Sequence, residues 1–370
     1  MRTILPARRA FAPLLLLLLP LVGAGCRGQC TPTGAPAGQS VGFLAQFAAD
    51  QCLATAGGQG LSVTLSDARG VVGQAASGEA DAGRDLGVST PMRLGPVSEL
   101  YAAALVAKLV DRRSLTLDSD VAAALDWFDV GSPITLRDLL SHRTGLRDVY
   151  SIRAIDLGAI AGPQALVETI MDDGLAFDPG SKHQISGTNY LLLGLFLEQR
   201  LGDSYGKILH DELLGPHGLG ATWVEGYDEL PTDLALGHTR GGDTMDGAFA
   251  SENGGAALSI VASAADVDSL TELFFADEAF ISDETRFEAT FPVGESFGDD
   301  GYGLGMEIAT VNGETVWRRA GEHPGGYAAG FAWMPESGAS AVALGNAAGG
   351  DAGWVVDTVA GWVADADGGE

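Results

Sequence analysis

Apolar residues recur at helical spacing in one stretch of the first third of the chain. They are Leu100, Ala103, Ala104, Ala107 and Val110. This period predicts a helix within residues 92–111 that packs along one face. Gly95 and Pro96 mark its start, because proline is tolerated in the first helical turn, where its missing N–H would be unpaired in any case.

Short β-type runs lie near both ends of the chain. After a segment with helical spacing at 41–55, the runs 61–67 and 71–79 predict a β-hairpin. Four more strand-like runs with turns between them follow late in the chain, at 302–311, 313–321, 327–336 and 339–346. Asn312-Gly313 is a strong hairpin signal, since a type I′ turn requires positive φ at both central residues.

The middle of the chain is predominantly helical to about residue 217, and further helices are predicted over 259–275 and 353–364. We therefore expect an α+β fold, with one antiparallel sheet flanked by helices and a separate helical lobe. The domain of residues 41–365 divides into a sheet lobe (about 41–90 and 240–365) and a helical lobe (about 91–239). An acidic tail, 366–370, follows.

The N-terminus has the layout of a bacterial export signal. Residues 1–25 contain arginines, then a leucine run too short to span a bilayer, then small residues up to Cys26. Residues 26–40 are expected to form a flexible tether, because 31–40 are rich in Pro, Gly, Thr and Ser. We predict an exported, periplasmic or cell-envelope protein.

The three cysteines fit that compartment. The residues before Cys26 resemble a bacterial lipobox, and lipidation there would leave Cys30 and Cys52 as an even pair in an oxidising space. We predict a lipid anchor at Cys26 and a disulfide between Cys30 and Cys52. Ordinary cleavage after Ala24, with Cys26 as a plain thiol, is the alternative.

Composition removes several function classes. Among the 370 residues, 46% are hydrophobic, which is ample for a core, while the net charge of −28 disfavours binding to nucleic acid or anionic lipid. Membrane contact is expected only through the lipid anchor. No cofactor or metal is predicted, since His183, His210, His217 and His238 lack metal-ligand spacing and no HExxH, Walker or Rossmann pattern occurs. We expect a monomer.

The helix start resembles a motif of the serine β-lactamase and penicillin-binding-protein superfamily, most closely the branch of class C β-lactamases, D-aminopeptidases and esterases. In that branch the helix opens Gly-Ser-x-x-Lys, with a serine nucleophile and a lysine one turn later that helps to take its proton. The matching residues here are Gly95, Pro96, Val97, Ser98 and Glu99. Pro96 therefore stands at the nucleophile position and Glu99 at the lysine position.

A second motif of that superfamily, Tyr-x-Asn, supplies a phenol for proton transfer and an amide that holds the substrate. The resemblance aligns it with Ile185, Ser186 and Gly187, so both functional side chains are replaced. Tyr190, a few residues on, corresponds to an aromatic that packs in the core. His142 likewise corresponds to a residue that the family uses structurally.

The third motif, His or Lys followed by Thr and Gly, aligns with His323, Pro324 and Gly325. The histidine and glycine are retained. Since proline cannot donate a ladder hydrogen bond, we expect the strand to be an edge or to be bulged at Pro324. His323 is either a retained ligand-binding residue or a leftover polar side chain that faces solvent in an open cleft.

Four replacements at aligned positions, with the surrounding scaffold intact, predict a catalytically inactive relative that binds a cell-wall-related ligand, another small molecule or a partner. The predicted ligand-binding residues are Glu99, Ser186, His323 and Gly325. Glu99 and His323 are expected to face one another in a persisting cleft, which would raise the pKa of His323 above 6.5 and favour a zwitterionic or cationic ligand.

Two alternatives stay open. One is an active serine hydrolase of the β-lactamase, DD-peptidase or esterase type with rearranged groups, in which Ser98 or Ser186 acts with His323. Ser98 points away from the direction of the lost nucleophile, however, and is better explained as a first-turn polar residue. The other is a structural or partner-binding envelope protein, which a shallow, filled cleft would favour.

Overall fold

The structure of the protein is a computed structural model. It describes residues 41–56, 59–67, 70, 72–152, 160, 162–245, 253–293, 301–311, 313–350, 352, 353, 356 and 357. The predicted export signal, the tether, Cys26, Cys30, Asn312, most of the predicted C-terminal helix and the acidic tail lie outside these residues. For Cys52, only the helical backbone is described.

An eight-stranded antiparallel sheet forms the centre of the fold, in the order β3-β2-β1-β11-β10-β9-β8-β7. Its strands are β1 (Gly60–Ser66), β2 (Val72–Asp81), β3 (Arg84–Asp85), β7 (Gly301–Tyr302), β8 (Glu307–Val311), β9 (Glu314–His323), β10 (Tyr327–Met334) and β11 (Ala339–Gly345). Because β1 pairs with β11, strands from the two ends of the chain lie side by side in one sheet, as the sequence predicts.

Helices surround this sheet and fill the middle of the chain. They are α1 (Val41–Ala56), α2 (Ser98–Asp111), α3 (Leu136–Leu140), α4 (Pro163–Met171), α5 (Gly187–Leu201), α6 (Tyr205–Leu209), α7 (Gly215–His217), α8 (Gly255–Leu258), α9 (Ala264–Phe275) and α10 (Asp283–Thr290). The predicted helices over 41–55 and 259–275 correspond to α1 and α9. None of the described helices has the length and apolar character needed to cross a bilayer.

The two faces of the sheet are buried by different helices. On one face, Leu44 and Ala48 of α1 pack with Leu61, Val63 and other apolar strand residues. On the opposite face, the ring of Phe275 at the end of α9 lies 6.2 Å from that of Phe331. Alternation along the central strands thus places a layer of helix on each side, which is the α+β arrangement that the sequence predicts.

A second, three-stranded sheet was not predicted. It has the order β4-β6-β5 and consists of β4 (Met92–Arg93), β6 (Ile260–Ala262) and β5 (Thr222–Val224). It lies at the start of α2, since the N–H of Leu94 donates to the carbonyl of Ile260 over 2.9 Å. Strands of two or three residues are too short to leave a period-2 pattern, which explains why sequence analysis missed them.

The expectation of an edge or bulge at Pro324 is wrong. Strand β9 ends at His323, and Pro324 lies in the three-residue turn that leads to Tyr327 of β10. Gly326 has a φ of 85° in this turn, and its N–H donates to the His323 carbonyl over 3.0 Å. Since Pro324 is outside the ladder, its missing N–H costs no strand hydrogen bond.

Candidate functional site

The nucleophile position is filled by a proline ring that packs on the sheet. Residues Gly95–Val97 form a 3₁₀ turn, and α2 continues from Ser98. Pro96 lies in this turn against Gly321 of β9, where an added Cβ would be only 2.6 Å from the proline Cγ. Gly95 has a φ of 55°, and a Cβ there would lie 3.0 Å from the backbone nitrogen of His323. The turn is therefore packed directly against β9.

Glu99, at the lysine position, is a member of a buried ion pair. Its Oε2 accepts hydrogen bonds from Nε and Nη2 of Arg319 over 2.8 and 2.7 Å. The Glu99 side chain is 2% exposed and that of Arg319 is 4% exposed. A planar guanidinium thus meets the carboxylate from the neighbouring strand β9 with water almost excluded.

The electrostatics of this pair hold both groups charged. Burial alone would raise the pKa of Glu99, but the positive charge of Arg319 and the hydrogen bond from His142 outweigh burial and place the pKa below its ordinary value. For Arg319, burial would lower the pKa, and the Glu99 carboxylate raises it well above the ordinary value instead. Glu99 therefore remains an acceptor and is unavailable as a proton donor.

His142 is the third member of the cluster. Its Nε2 lies 3.3 Å from Oε2 of Glu99. Its Nδ1 accepts two hydrogen bonds, one from Nδ2 of Asn189 over 3.0 Å and one from the N–H of Ser186 over 3.3 Å. With two donors directed at Nδ1, the ring hydrogen belongs on Nε2, facing the carboxylate. Asn189 is held in turn by Oγ1 of Thr144 over 2.6 Å. His142 therefore has a structural place, as the resemblance implies, and its partner is Glu99.

The expected pairing of Glu99 with His323 is wrong. Nδ1 of His323 accepts the N–H of Gly325 over 2.9 Å, and the imidazole is 3% exposed. Burial, together with the nearby Arg93 guanidinium, lowers the pKa of His323 to about 3, the opposite direction from the one expected. The picture of a solvent-facing His323 is wrong too. Since Arg319 neutralises Glu99, the argument for a zwitterionic or cationic ligand also loses its basis.

Sequence analysis also missed a charged group beside His323. Arg93 binds the Glu225 carboxylate through Nε and Nη2, and its Nη1 donates to the Tyr327 hydroxyl over 2.9 Å. The Tyr327 hydroxyl donates onward to the Ala235 carbonyl over 2.7 Å. The ring of Tyr327 lies 6.0 Å from that of His323. This network fixes the turn after β9 and leaves His323 neutral.

At the second motif, residues 185–187, packing contacts replace the functional side chains of the family. Gly187 opens α5, and its N–H donates to Oδ1 of Asp148 over 3.1 Å. The Tyr150 ring covers Gly187 so closely that a Cβ there would lie 2.6 Å from Cδ2 of the ring. The Tyr150 hydroxyl is held by the Asn253 carbonyl at 2.8 Å. An aromatic ring therefore occupies the space beside the position where the family has asparagine.

The neighbouring residues of this motif differ in exposure. Ile185 is 42% exposed, whereas Ser186 is fully buried, and its Oγ makes no hydrogen bond within the described residues. Tyr190 is a core residue, as predicted, because its buried hydroxyl donates to the Leu140 carbonyl over 2.9 Å. All four predicted ligand-binding residues are buried: Glu99, Ser186, His323 and Gly325.

A family model described as Beta-lactamase matches residues 48–366, which is most of the chain. The chain belongs to the beta-lactamase family. The chain is similar in sequence to penicillin-binding protein 4 of Amycolatopsis lactamdurans, to which it is 31% identical over 173 residues, 44% of each protein. Teichoic acid D-alanine hydrolase of Staphylococcus aureus is 26% identical over 143 residues, 39% of this chain and 34% of that protein. The matched part thus spans less than half the length of these relatives.

Solved structures support the beta-lactamase family fold. The octameric penicillin-binding protein homologue of Pyrococcus abyssi superposes with a TM-score of 0.76 at 21% identity, covering 88% of this chain and 78% of that one. The D-amino acid amidase of Ochrobactrum anthropi SV3 gives 0.76 at 20% identity, covering 89% and 99%. At such identities the likeness establishes the shared architecture alone.

Among the described residues, neither Ser98 nor Ser186, the two serines considered as a replacement nucleophile, makes a hydrogen bond to a base. Oγ of Ser98 accepts the N–H of Ile260 over 3.1 Å, which ties the start of α2 to β6. The Ser98 side chain is thus a buried structural acceptor. Since the Ser186 hydroxyl has no partner among the described residues, neither serine has the base contact that activates a nucleophile.

Proposed function

We propose that this beta-lactamase family member is a non-hydrolytic protein of the bacterial cell envelope that acts by binding. The observation that carries the proposal is the Glu99–Arg319 ion pair at the lysine position, three residues after a nucleophile position that holds Pro96. Covalent catalysis in a serine hydrolase requires a hydroxyl and a nearby group that takes its proton. Pro96 has no hydroxyl, and Glu99 is engaged by two cationic or hydrogen-bonding partners.

Packing gives further support. Three of the four replaced positions have a neighbour that fits the replacement: Gly321 receives the ring of Pro96, Arg319 balances the charge of Glu99, and Tyr150 covers Gly187. A proline or glycine introduced without such neighbours would leave a gap that costs stability. The complementary packing is what a site maintained for structure, and no longer for turnover, requires.

The burial of all four predicted ligand-binding residues favours recognition of a partner at the surface over capture of a small molecule inside the cleft. The chain resembles proteins named for penicillin binding and for teichoic acid D-alanine hydrolysis. With the predicted export signal and lipobox, this resemblance supports an envelope location. We expect a cell-wall component or an envelope protein as the partner, contacted around the exposed Ile185.

The decisive experiment is a search for a covalent intermediate. Purified mature protein is incubated with a chromogenic cephalosporin, a fluorescent penicillin, D-alanine amide and an activated ester, while turnover is followed and intact mass is measured. We expect no turnover and no acyl adduct. A stoichiometric adduct would overturn the proposal, and its loss in Ser98→Ala or Ser186→Ala would support the rearranged hydrolase instead.

Binding is tested separately. The mature protein is sedimented with purified peptidoglycan, and the same assay is run with Ile185→Glu, which places a charge on the exposed surface without altering the buried cluster. We expect co-sedimentation that weakens in Ile185→Glu. Equal sedimentation of both proteins would remove this surface from the proposal and leave the absence of turnover untouched.

A further inference from the structure

A lysine and a histidine are in direct contact at the far end of α2. Nζ of Lys108 lies 2.9 Å from Nε2 of His217 and donates to the Glu212 carbonyl over 2.6 Å. Nine residues separate Lys108 from Glu99, so at 1.5 Å per residue the two lie about 14 Å apart along the helix. This pair is therefore separate from the site described above, and nothing inferred from it depends on the proposed function.

The backbone around Glu212 departs from regular α-helix. Residues His210–Leu214 form a π-helical turn between α6 and α7. Such turns are short insertions that interrupt the α-helical hydrogen-bond pattern and are frequent at functional sites. Nζ of Lys108 donates to the Glu212 carbonyl and also lies over the ring of Phe280, 5.7 Å from its centroid.

The surrounding charges do not neutralise Lys108. The Glu212 carboxylate is paired with Arg112, whose own positive charge faces the ammonium. Burial and then Arg112 lower the pKa of Lys108, and Glu212 opposes this only in part. Burial and the Lys108 charge lower the pKa of His217 in turn, against the opposing effect of Asp277. Both groups are thus biased toward their neutral forms.

We propose that Lys108 is a nucleophilic lysine that accepts an acyl group from activated esters and thioesters, with His217 as the base. The neutral Nζ attacks the acyl carbon, the N–C bond forms and the C–O or C–S bond breaks. The proton lost from Nζ passes to Nε2 of His217 and from there to the departing alkoxide or thiolate. The lysine amine and the ester or thioester become an amide and an alcohol or thiol, so no oxidant or further reactant is required.

The chain contains its own control. Only three lysines occur, Lys108, Lys182 and Lys207. Lys207 is exposed, and its Nζ lies 2.6 Å from Oδ2 of Asp211 and 3.3 Å from Oδ2 of Asp203. Hydrogen bonds to these carboxylates raise its pKa, the direction opposite to that of Lys108. Exposure alone would make Lys207 the faster to react, so a faster Lys108 cannot be attributed to accessibility.

The first test is a pH series of acetylation by S-acetyl-N-acetylcysteamine, with each lysine followed by peptide mass spectrometry in the same sample. We expect Lys108 to reach half of its limiting rate at a lower pH than Lys207, and to be the most acetylated lysine at neutral pH. A midpoint for Lys108 equal to or above that of Lys207 would overturn the proposal. This measurement uses the wild-type protein and depends on no variant.

Two variants separate the charge effect from the base. In Arg112→Gln, the Lys108 midpoint should rise because a cation is lost and the Glu212 carboxylate is released, while that of Lys207 stays constant. In His217→Gln, the limiting rate of Lys108 should fall by at least about 10-fold, because the amide accepts a hydrogen bond and cannot carry a proton. An unchanged limiting rate would exclude His217 as the base and overturn the proposal.

Discussion

The ring of Tyr150 lies so close to Gly187 that a methyl group at position 187 would be 2.6 Å from Cδ2 of the ring. This contact replaces the asparagine of the family motif by an aromatic side chain from another segment of the chain. Because the Tyr150 ring leaves no room for a side chain at position 187, the glycine is now required for packing. Its replacement can therefore be tested by measuring stability as well as activity.

Gly187→Ala should destabilise the protein by about 1–3 kcal/mol, as expected for overpacking a filled site. Alanine otherwise favours a helix relative to glycine, so the sign itself identifies the contact with Tyr150. Gly42→Ala is the matched control, because Gly42 lies in α1 with no atom within 4 Å of the added Cβ. Urea unfolding measures both, and a stabilised Gly187→Ala would contradict the packing described.

The Glu99–Arg319 pair should behave as a buried ion pair. Arg319→Met leaves the Glu99 carboxylate buried without its main partner and should cost about 3–5 kcal/mol. The double variant Glu99→Leu with Arg319→Met removes both charges and should be more stable than either single variant. Urea unfolding of the four proteins gives the coupling energy.

A surface pair provides the comparison for this cycle. Arg137 and Glu288 form a bridge in which the side chains are 30% and 48% exposed. Arg137→Gln should cost less than about 1 kcal/mol, because solvent screens such pairs. Equal losses for Arg319→Met and Arg137→Gln would mean that the Glu99–Arg319 pair is not shielded from water.

Restoring the two motif residues of α2 should not restore an enzyme. In the double variant Pro96→Ser with Glu99→Lys, the new lysine replaces the carboxylate that Arg319 now binds. Two positive charges would then face one another in a buried space. We expect lower stability and no turnover of a chromogenic cephalosporin. Ile185 and Gly187 would still lack the phenol and the amide of the family motif. Turnover at the level of active relatives would show that the second motif is misassigned.

Much of the fold was predictable because its signals are local. The hairpin β1–β2, the strands β8 to β11 and the helices α1, α2 and α9 each leave a local signal in their own residues, either a period of 2 or 3.6 or a short apolar run between turns. The resemblance of the motif at Gly95–Glu99 also pointed to the family that the comparisons establish.

The partners in the site were not predictable, because they are distant in sequence. Arg319 is 220 residues from Glu99, and a charged residue in a strand pattern is normally assigned to the solvent face. His323 was paired with Glu99 only because the family lines its cleft with both positions. The structure shows that the partner of Glu99 is Arg319, which lies four residues before His323 on the same strand.

The lipid anchor concerns residues outside the described part of the chain and remains a prediction. Metabolic labelling with an alkyne fatty acid should mark the wild type, and Cys26→Ser should lose the label. Thiol counting on the non-reduced protein should find no free thiol at Cys30 or Cys52. A labelled Cys26→Ser protein would contradict the anchor, and two free thiols would contradict the disulfide.

His323 should make the fold sensitive to mild acid. Its pKa is about 3 in the folded protein and about 6.5 when unfolded, so below pH 6.5 the unfolded chain binds a proton that the folded protein excludes. Stability is therefore complete above pH 6.5 and falls as the pH is lowered toward 3. Between pH 7 and 5 this one group should remove about 2 kcal/mol from the free energy of unfolding.

His183 changes in the same direction, since burial lowers its pKa to about 4, so the two contributions must be separated by mutation. His323→Gln keeps an acceptor for the Gly325 N–H and cannot be protonated. Its free energy of unfolding should therefore fall by about 2 kcal/mol less than that of the wild type between pH 7 and 5. NMR of the wild-type imidazole should find no titration of His323 down to about pH 4. A midpoint near 6.5 would mean that the ring is hydrated and that the buried turn after β9, held by Arg93 and Tyr327, is open in solution.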